Sequence, residues 1–262
     1  MNRVAVVTGA GRGIGAATVD VLVERGWAVV ATDRCSDDPR LPYPLATEAD
    51  LHAVVQGTGA PSRVVALVVD TCDAGAMAAA VRLAEERFGG LDAMISVAGV
   101  IAGGMPLWEM LPEQQEAVVD VNLGGVLVAA RAAIPALLRR PEPRSGRFLA
   151  VSSVAATRGL PLLTAYCAAK AGVIGLVRAL AAELRDTGIT ANAVTPGSTA
   201  TAILDESARF YGLDSAEAFS AQQPLGRLIE PREVAAMLAW LAGPETTAVT
   251  GAMIPVDGGL GL

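Results

Sequence analysis

Short apolar runs alternate with longer stretches of helical period along most of the chain. RVAVV (3–7), WAVVAT (27–32), RVVALVV (63–69), LDAMIS (91–96), GRFLAVSS (146–153), GITANAVTP (188–196) and AMIPVDGG (252–259) read as strands. Helical patterns fall between them over 14–25, 74–89, 106–140, 163–186 and 231–242, and PEPRSG (141–146) is a polar break. Strands that are apolar on both faces and separated by helices belong in a parallel sheet covered on both sides. The pattern therefore predicts an α/β chain with one doubly wound parallel sheet of about seven strands. With no internal repeat and no dividing linker, residues 1–262 are expected to form a single domain.

Two stretches depart from the plain pattern. Between the second and third runs, residues 34–62 hold on the order of ten residues more than a crossover helix and its loops require. Pro39, Pro42 and Pro44 stiffen that insertion. Near the C-terminus, residues 198–223 carry Ile203, Leu204, Phe210, Tyr211 and Phe219 without a clear period, and are expected to form a substrate-binding loop. Leu160, Leu162 and Ile101 are expected to add to the same apolar lining.

The helical stretches 117–138 and 171–184 are apolar nearly all round, so one face can meet the sheet while the rest needs another cover. A homo-oligomer, a tetramer or a dimer, is the simplest. Asp120, Asn122 and Arg131 within 117–138 make it a poor membrane span, so no membrane partner is expected. A net charge of −7 offers no basic stripe to a nucleic acid. Cys35, Cys72 and Cys167 form no CxxC pair and have only His52 for company, so no metal is expected. Scattered cysteines fit a reducing cytoplasm, and a strand pattern beginning at Arg3 leaves no room for a signal peptide.

TGAGRGIG (8–15) follows the first strand and opens the first helix. Its glycines allow a tight turn, and the helix N-terminus behind them offers free N–H groups to a pyrophosphate. Together with the alternating pattern, this predicts a Rossmann-type sheet. Asp33 ends the second strand about 20 residues past the turn, where a carboxylate accepts hydrogen bonds from an adenosine ribose. That favours NAD, because a 2′-phosphate would meet a negative charge. Arg34 and Arg12 are near enough to hold such a phosphate instead.

The chemistry is carried further along. Of 20 basic residues, Lys170 is the only lysine, which points to work for a compact ammonium. TAYCAAKAG (164–172) puts Tyr166 and Lys170 four apart on one helical face. In a chain with three tyrosines and one lysine, that spacing arises by chance roughly once in ninety. Bringing a phenol of pKa ~10 to neutral pH takes about 4 kcal/mol of differential stabilisation. Lys170, an oxidised nicotinamide and a dry site are expected to supply it. Ser152 and Ser153 lie at the C-terminal end of the GRFLAVSS strand, where open α/β sheets bind ligands, and strand alternation sends one of them inward.

TGAGRGIG, Asp33, Asp70-Thr71, Asn122 in DVNLGG, Ser153, YCAAK, PGSTAT (196–201) and VDGG together resemble the short-chain dehydrogenase/reductase family in its compact one-domain branch. The resemblance runs from Arg3 to Gly259. It implies Tyr166 as acid/base, Ser153 rather than Ser152 as the substrate-orienting donor, and Lys170 as ribose ligand and pKa modulator. Asn122 would hold a water that links Lys170 to solvent. The resemblance further implies a cofactor held by Gly9, Arg12, Gly13, Ile14, Asp33, Asp70, Thr71, Ser96, Ala98, Gly99, Tyr166, Lys170, Thr199 and Thr201. One departure is SVAG (96–99), where the family usually reads Asn-Asn-Ala-Gly; the amides that brace the sheet are missing, which puts local stability in question.

PYPLATEADLHAVV (42–55) resembles a subgroup associated with the redox cofactor mycofactocin, including carveol dehydrogenase-like enzymes. That resemblance implies an insertion covering a tightly held NAD. The leading expectation is an NAD-dependent enzyme interconverting a hydrophobic secondary alcohol and its ketone. An NADPH-dependent carbonyl or 3-oxoacyl reductase and a non-catalytic dinucleotide-binding regulator are the alternatives.

Overall fold

The computed structural model describes residues 3–262. Seven strands form one parallel sheet: β1 Val4–Thr8, β2 Ala28–Asp33, β3 Val64–Val68, β4 Ala93–Ser96, β5 Arg147–Val151, β6 Thr190–Pro196 and β7 Met253–Val256. Their spatial order is β3-β2-β1-β4-β5-β6-β7. The order reverses between β1 and β4, paired with Thr8 opposite Ser96. Ligands in such sheets sit outside the strand ends at this switch point.

Eight α-helices cover the sheet: α1 Gly13–Glu24, α2 Glu48–Gly57, α3 Ala74–Phe88, α4 Pro112–Val119, α5 Gly125–Arg139, α6 Thr164–Glu183, α7 Ala202–Phe210 and α8 Pro231–Ala242. One core packs α3, α5 and α6 against the sheet through Met77, Val126, Ala129, Val173 and Val177. The opposite core joins α1, α2 and α8 through Val19, Leu22, Leu51, Val234 and Leu238. Local chemistry sets the helix ends. The Asp73 carboxylate accepts from Gly75 N–H at 2.7 Å and Ala76 N–H at 3.0 Å to start α3, and Gly89 in the left-handed region (φ +84°) stops it.

The expected strands and helices are present, with one difference. Residues 198–223 are not an open loop: they hold α7 and a 3₁₀ segment over Ala216–Gln222. Thr47 and Asp50 form a reciprocal cap that begins α2 at Glu48, leaving residues 34–46 as an irregular strap. By length and composition, Pro112–Arg139 and Thr164–Glu183 could each cross a bilayer, so the polar residues in 117–138 do not by themselves exclude a span. What these helices do in the fold is pack on the sheet, with Leu127 and Val119 left partly exposed.

Candidate active site

A cavity of about 1310 Å³ opens at the C-terminal ends of the strands. It exceeds the roughly 300–1,000 Å³ of an ordinary small-ligand pocket, and it has two halves. One half is built on the turn after β1. Gly9 adopts φ +66°, and a Cβ there would sit 2.7 Å from the Ala98 Cα, so only glycine lets the two turns meet. A Cβ on Gly15 would lie 1.9 Å from the Gly9 carbonyl oxygen. Helix α1 begins at Gly13 with no side-chain cap, leaving its first N–H groups for an anion. Asp33 accepts from Gly11 N–H at 2.9 Å and so faces the turn. Arg12, Ile14, Asp70, Thr71, Thr199 and Thr201 line the same half. The Thr201 methyl lies 3.2 Å from where a Gly13 side chain would begin.

In the other half, Ile101, Leu160, Ile203, Leu204, Tyr211 and Phe219 form an apolar wall. Phe210 and Leu162, also expected there, are not on it. Phe210 packs on Gly104, and the Leu162 carbonyl accepts from Gly104 N–H at 3.1 Å. The Tyr211 hydroxyl donates to the Pro161 carbonyl at 2.6 Å, fastening the chain after α7 to the segment before α6.

Tyr166, Lys170 and Ser153 stand where the halves join. Tyr166 is buried, and the Ser153 side chain lies beside its hydroxyl on the cavity wall. The Ser152 hydroxyl donates to the Lys170 carbonyl at 2.7 Å. Lys170, only 3% exposed, donates from Nζ to the Val151 carbonyl at 3.0 Å and sits 5.6 Å from the Tyr166 ring centroid.

The electrostatics correct one expectation. Burial pushes the Tyr166 phenol up to about 12, with the neighbouring Ser153 hydroxyl opposing it, and drops the Lys170 ammonium to about 8. A dry site therefore works against the phenolate, because desolvation disfavours whichever form is charged.

Two expected site residues lie behind the wall. Asn122 is fully buried in a π-helical turn over Asp120–Gly124 between α4 and α5. Its amide donates to the Val100 and Val118 carbonyls, both at 2.8 Å, and its Oδ1 accepts from Val100 N–H at 3.3 Å. A Cβ on Gly99 would meet that Oδ1 at 2.8 Å and Lys170 Nζ at 3.4 Å, so Asn122 and Lys170 flank this glycine. Ser96 ends β4, buried and off the cavity, while Ala98 and Gly99 line it.

Several contributors were not evident in the sequence. The turn at 96–99 is braced after all: the Thr8 hydroxyl accepts from Val97 and Ala98 N–H, both at 3.1 Å, in place of the missing amides. Gln223 fixes the 196–201 turn by accepting from Ser198 N–H at 2.9 Å and donating to the Arg227 carbonyl at 2.7 Å. The strap is pinned at several points. Asp38 is buried between Arg34 and Arg40, and Arg40 reaches Asp120 at 2.8 Å. Arg12 donates to the Pro44 carbonyl at 3.2 Å, and Ala46 lies on Gly11. Tyr43 is buried with Ile101, Leu163 and Tyr166, and its hydroxyl accepts from Ile101 N–H at 2.8 Å. The inward aromatic within a proline-rich insertion was the available signal.

Tyr43→Phe would leave a buried N–H without its acceptor. It is expected to cost about 1–2 kcal/mol of stability and to speed amide exchange at Ile101. Thermal unfolding and exchange mass spectrometry check both.

A family model described as enoyl-(acyl carrier protein) reductase matches residues 9–261. The chain belongs to the short-chain dehydrogenase/reductase family. The short-chain reductase protein NovJ of Streptomyces niveus is 39% identical over 98% of this chain and 94% of its own. The 3-oxoacyl-[acyl-carrier-protein] reductase FabG of Vibrio cholerae is 32% identical over 99% and 97%. Among solved structures, carveol dehydrogenase from Mycobacterium avium in complex with NAD matches with a TM-score of 0.92 at 31% identity, covering 98% of this chain and 97% of that one. Members of this family are oxidoreductases that bind nicotinamide dinucleotides, and its fold is the doubly wound sheet described above.

Proposed function

We propose that this family member is an NAD-dependent oxidoreductase that interconverts a hydrophobic secondary alcohol and its ketone, with Tyr166 as the acid/base. The observation that carries this reading is the meeting of Ser153, Tyr166 and Lys170 at the junction between the glycine turn and an apolar wall. Ser153 and Tyr166 hydroxyls converge on the place of a substrate oxygen. In oxidation, the Tyr166 oxygen takes the hydroxyl proton; in reduction, the same group returns it. Lys170 holds positive charge beneath the ring and would reach the ribose position, and Asn122 holds the Val100 backbone beside it.

NAD, when bound, would supply the hydride acceptor, and Gly9, Arg12, Gly13, Ile14, Asp33, Asp70, Thr71, Ala98, Gly99, Thr199 and Thr201 would hold it. Asp33 supports NAD over NADP, since its carboxylate faces the glycine turn. Ile203, Leu204, Tyr211 and Phe219 select an apolar substrate body. The chain then works as a single domain in the cytoplasm, where its three free cysteines stay reduced. The half-exposed Leu127 and partly exposed Val119 support a homo-oligomer.

The strap over 34–46 supports a finer reading, in which NAD is held without exchange and mycofactocin accepts the electrons, in line with the likeness to carveol dehydrogenase. Protein purified without added cofactor is expected to release near-stoichiometric NAD(H) on denaturation. It should oxidise alicyclic secondary alcohols with a mycofactocin-type or artificial electron acceptor. Protein free of nucleotide that turns over with added NAD⁺ retains the dehydrogenase and discards the mycofactocin reading; selective NADPH-dependent ketone reduction favours the FabG-like alternative.

A further inference from the structure

The acidic strap residue Asp38 has no part in the chemistry above, yet it is 2% exposed, lies on the cavity wall and is surrounded by charge. Its Oδ2 accepts from Arg34 Nη1 and Arg40 Nη2, both at 2.8 Å, and its Oδ1 accepts from Arg40 N–H and Nε, both at 3.0 Å. Both arginines hold its carboxyl well below the usual carboxylate range. Arg40 has a second partner in Asp120 at 2.8 Å. Arg34 is held on its other side by Asp70 at 3.6 Å and by the Ser36 hydroxyl at 3.3 Å.

Arg34 directly follows Asp33, the carboxylate positioned for the adenosine ribose, and both line the cavity. With Arg12, it is one of two guanidinium groups on this half of the cavity that could neutralise a phosphate on that ribose. In this arrangement its charge is already matched by Asp38 and Asp70, and its Nη1 is turned to Asp38. A 2′-phosphate entering beside Asp33 would face three carboxylates, Asp33, Asp38 and Asp70, while Arg12 is drawn away to the Pro44 carbonyl.

We propose that Asp38 is a specificity-determining residue that excludes 2′-phosphorylated dinucleotides by sequestering Arg34. The proposal rests on the NAD reading above and adds a second layer to it: Asp33 disfavours the phosphate directly, and Asp38 withholds the cation that would compensate. Removing the Asp38 charge releases Arg34 toward the ribose, while Arg40 stays on Asp120.

The test measures dissociation constants of NADH and NADPH by tryptophan fluorescence on the full chain stripped of nucleotide. The parent protein is expected to prefer NADH at least tenfold. Asp38→Asn, which keeps the side-chain volume, should lower the NADPH-to-NADH ratio of dissociation constants at least tenfold. Adding Arg34→Ala should return the ratio to the parent value. An unchanged ratio in Asp38→Asn overturns the proposal, as does a gain that survives in the double variant, which would mean simple relief of repulsion. Arg34→Ala alone reads the same point without disturbing Asp38: it should leave the ratio near the parent's, and a more than threefold rise shows Arg34 already serving the phosphate. A parent protein that prefers NADPH sinks the NAD reading itself along with the proposal. An NADH-preferring parent with an insensitive Asp38→Asn sinks only the proposal.

Discussion

Replacing Tyr166 with phenylalanine is expected to lower turnover about a thousandfold, the scale of a lost general acid/base, with little effect on the fold. The ring stays in its cluster with Ile101, Leu163 and Ala169, and the side chain gives up only its hydroxyl. A melting temperature within about 3 °C of the parent's, with turnover retained, would remove Tyr166 from the mechanism. The pH dependence makes the same point in the unmodified protein. Burial raises the phenol to about 12, so near neutrality it is almost wholly protonated among the protein's own groups. Alcohol oxidation, which needs the phenolate, should therefore quicken as pH rises. Ketone reduction uses the phenol as donor and should fade only at alkaline pH. Initial rates in both directions from about pH 6 to 10 test this, since oxidation should climb across the range while reduction stays nearly level.

Lys170→Met should separate stability from activity. The ammonium is buried, its pKa falls from 10.5 to about 8, and it donates a hydrogen bond to the Val151 carbonyl. Between those two values the unfolded chain holds a proton that the folded chain has lost, so stability rises with pH across about 8 to 10.5. Below about 8 the cost of burying the charge is fully present, about 3 kcal/mol from the shift. Methionine fills a similar volume without the charge and forfeits one hydrogen bond worth about 1 kcal/mol. A net gain of about 2 kcal/mol at pH 7 is expected, seen as a melting temperature raised by several degrees, with the advantage shrinking toward pH 10. Turnover should drop at least about a hundredfold. A less stable variant at pH 7 would mean that the buried ammonium contributes more contacts than it costs.

The strands, the switch point and the Tyr166–Lys170 pair were legible because each has a local signature: an apolar run, a glycine turn, a four-residue spacing. What was not legible depends on contacts between distant parts of the chain. Thr8 stands in for the missing amides near Ser96 only because β1 and β4 are neighbours in the sheet. Nothing local marks Gln223 as the clamp of the turn at Ser198, 25 positions away. The upward push of burial on Tyr166 was not legible for a related reason. Sequence shows that a lysine is adjacent, but the competition between that charge and desolvation is decided by burial. Residues 198–223 lacked a readable period because α7 is short, two turns and a half, and is followed by 3₁₀ geometry.

The strap has a kinetic consequence. Its anchors come from three separate places: Arg12 before α1, Ile101 after β4 and Asp120 in the π-helical turn. None is a neighbour in sequence, so the strap can order only after those elements have docked, and peeling it away breaks contacts with all three. For any nucleotide seated beneath it, residence time would then be governed by a local opening of the protein, with its own steep temperature dependence, and not by the strength of the nucleotide's own contacts.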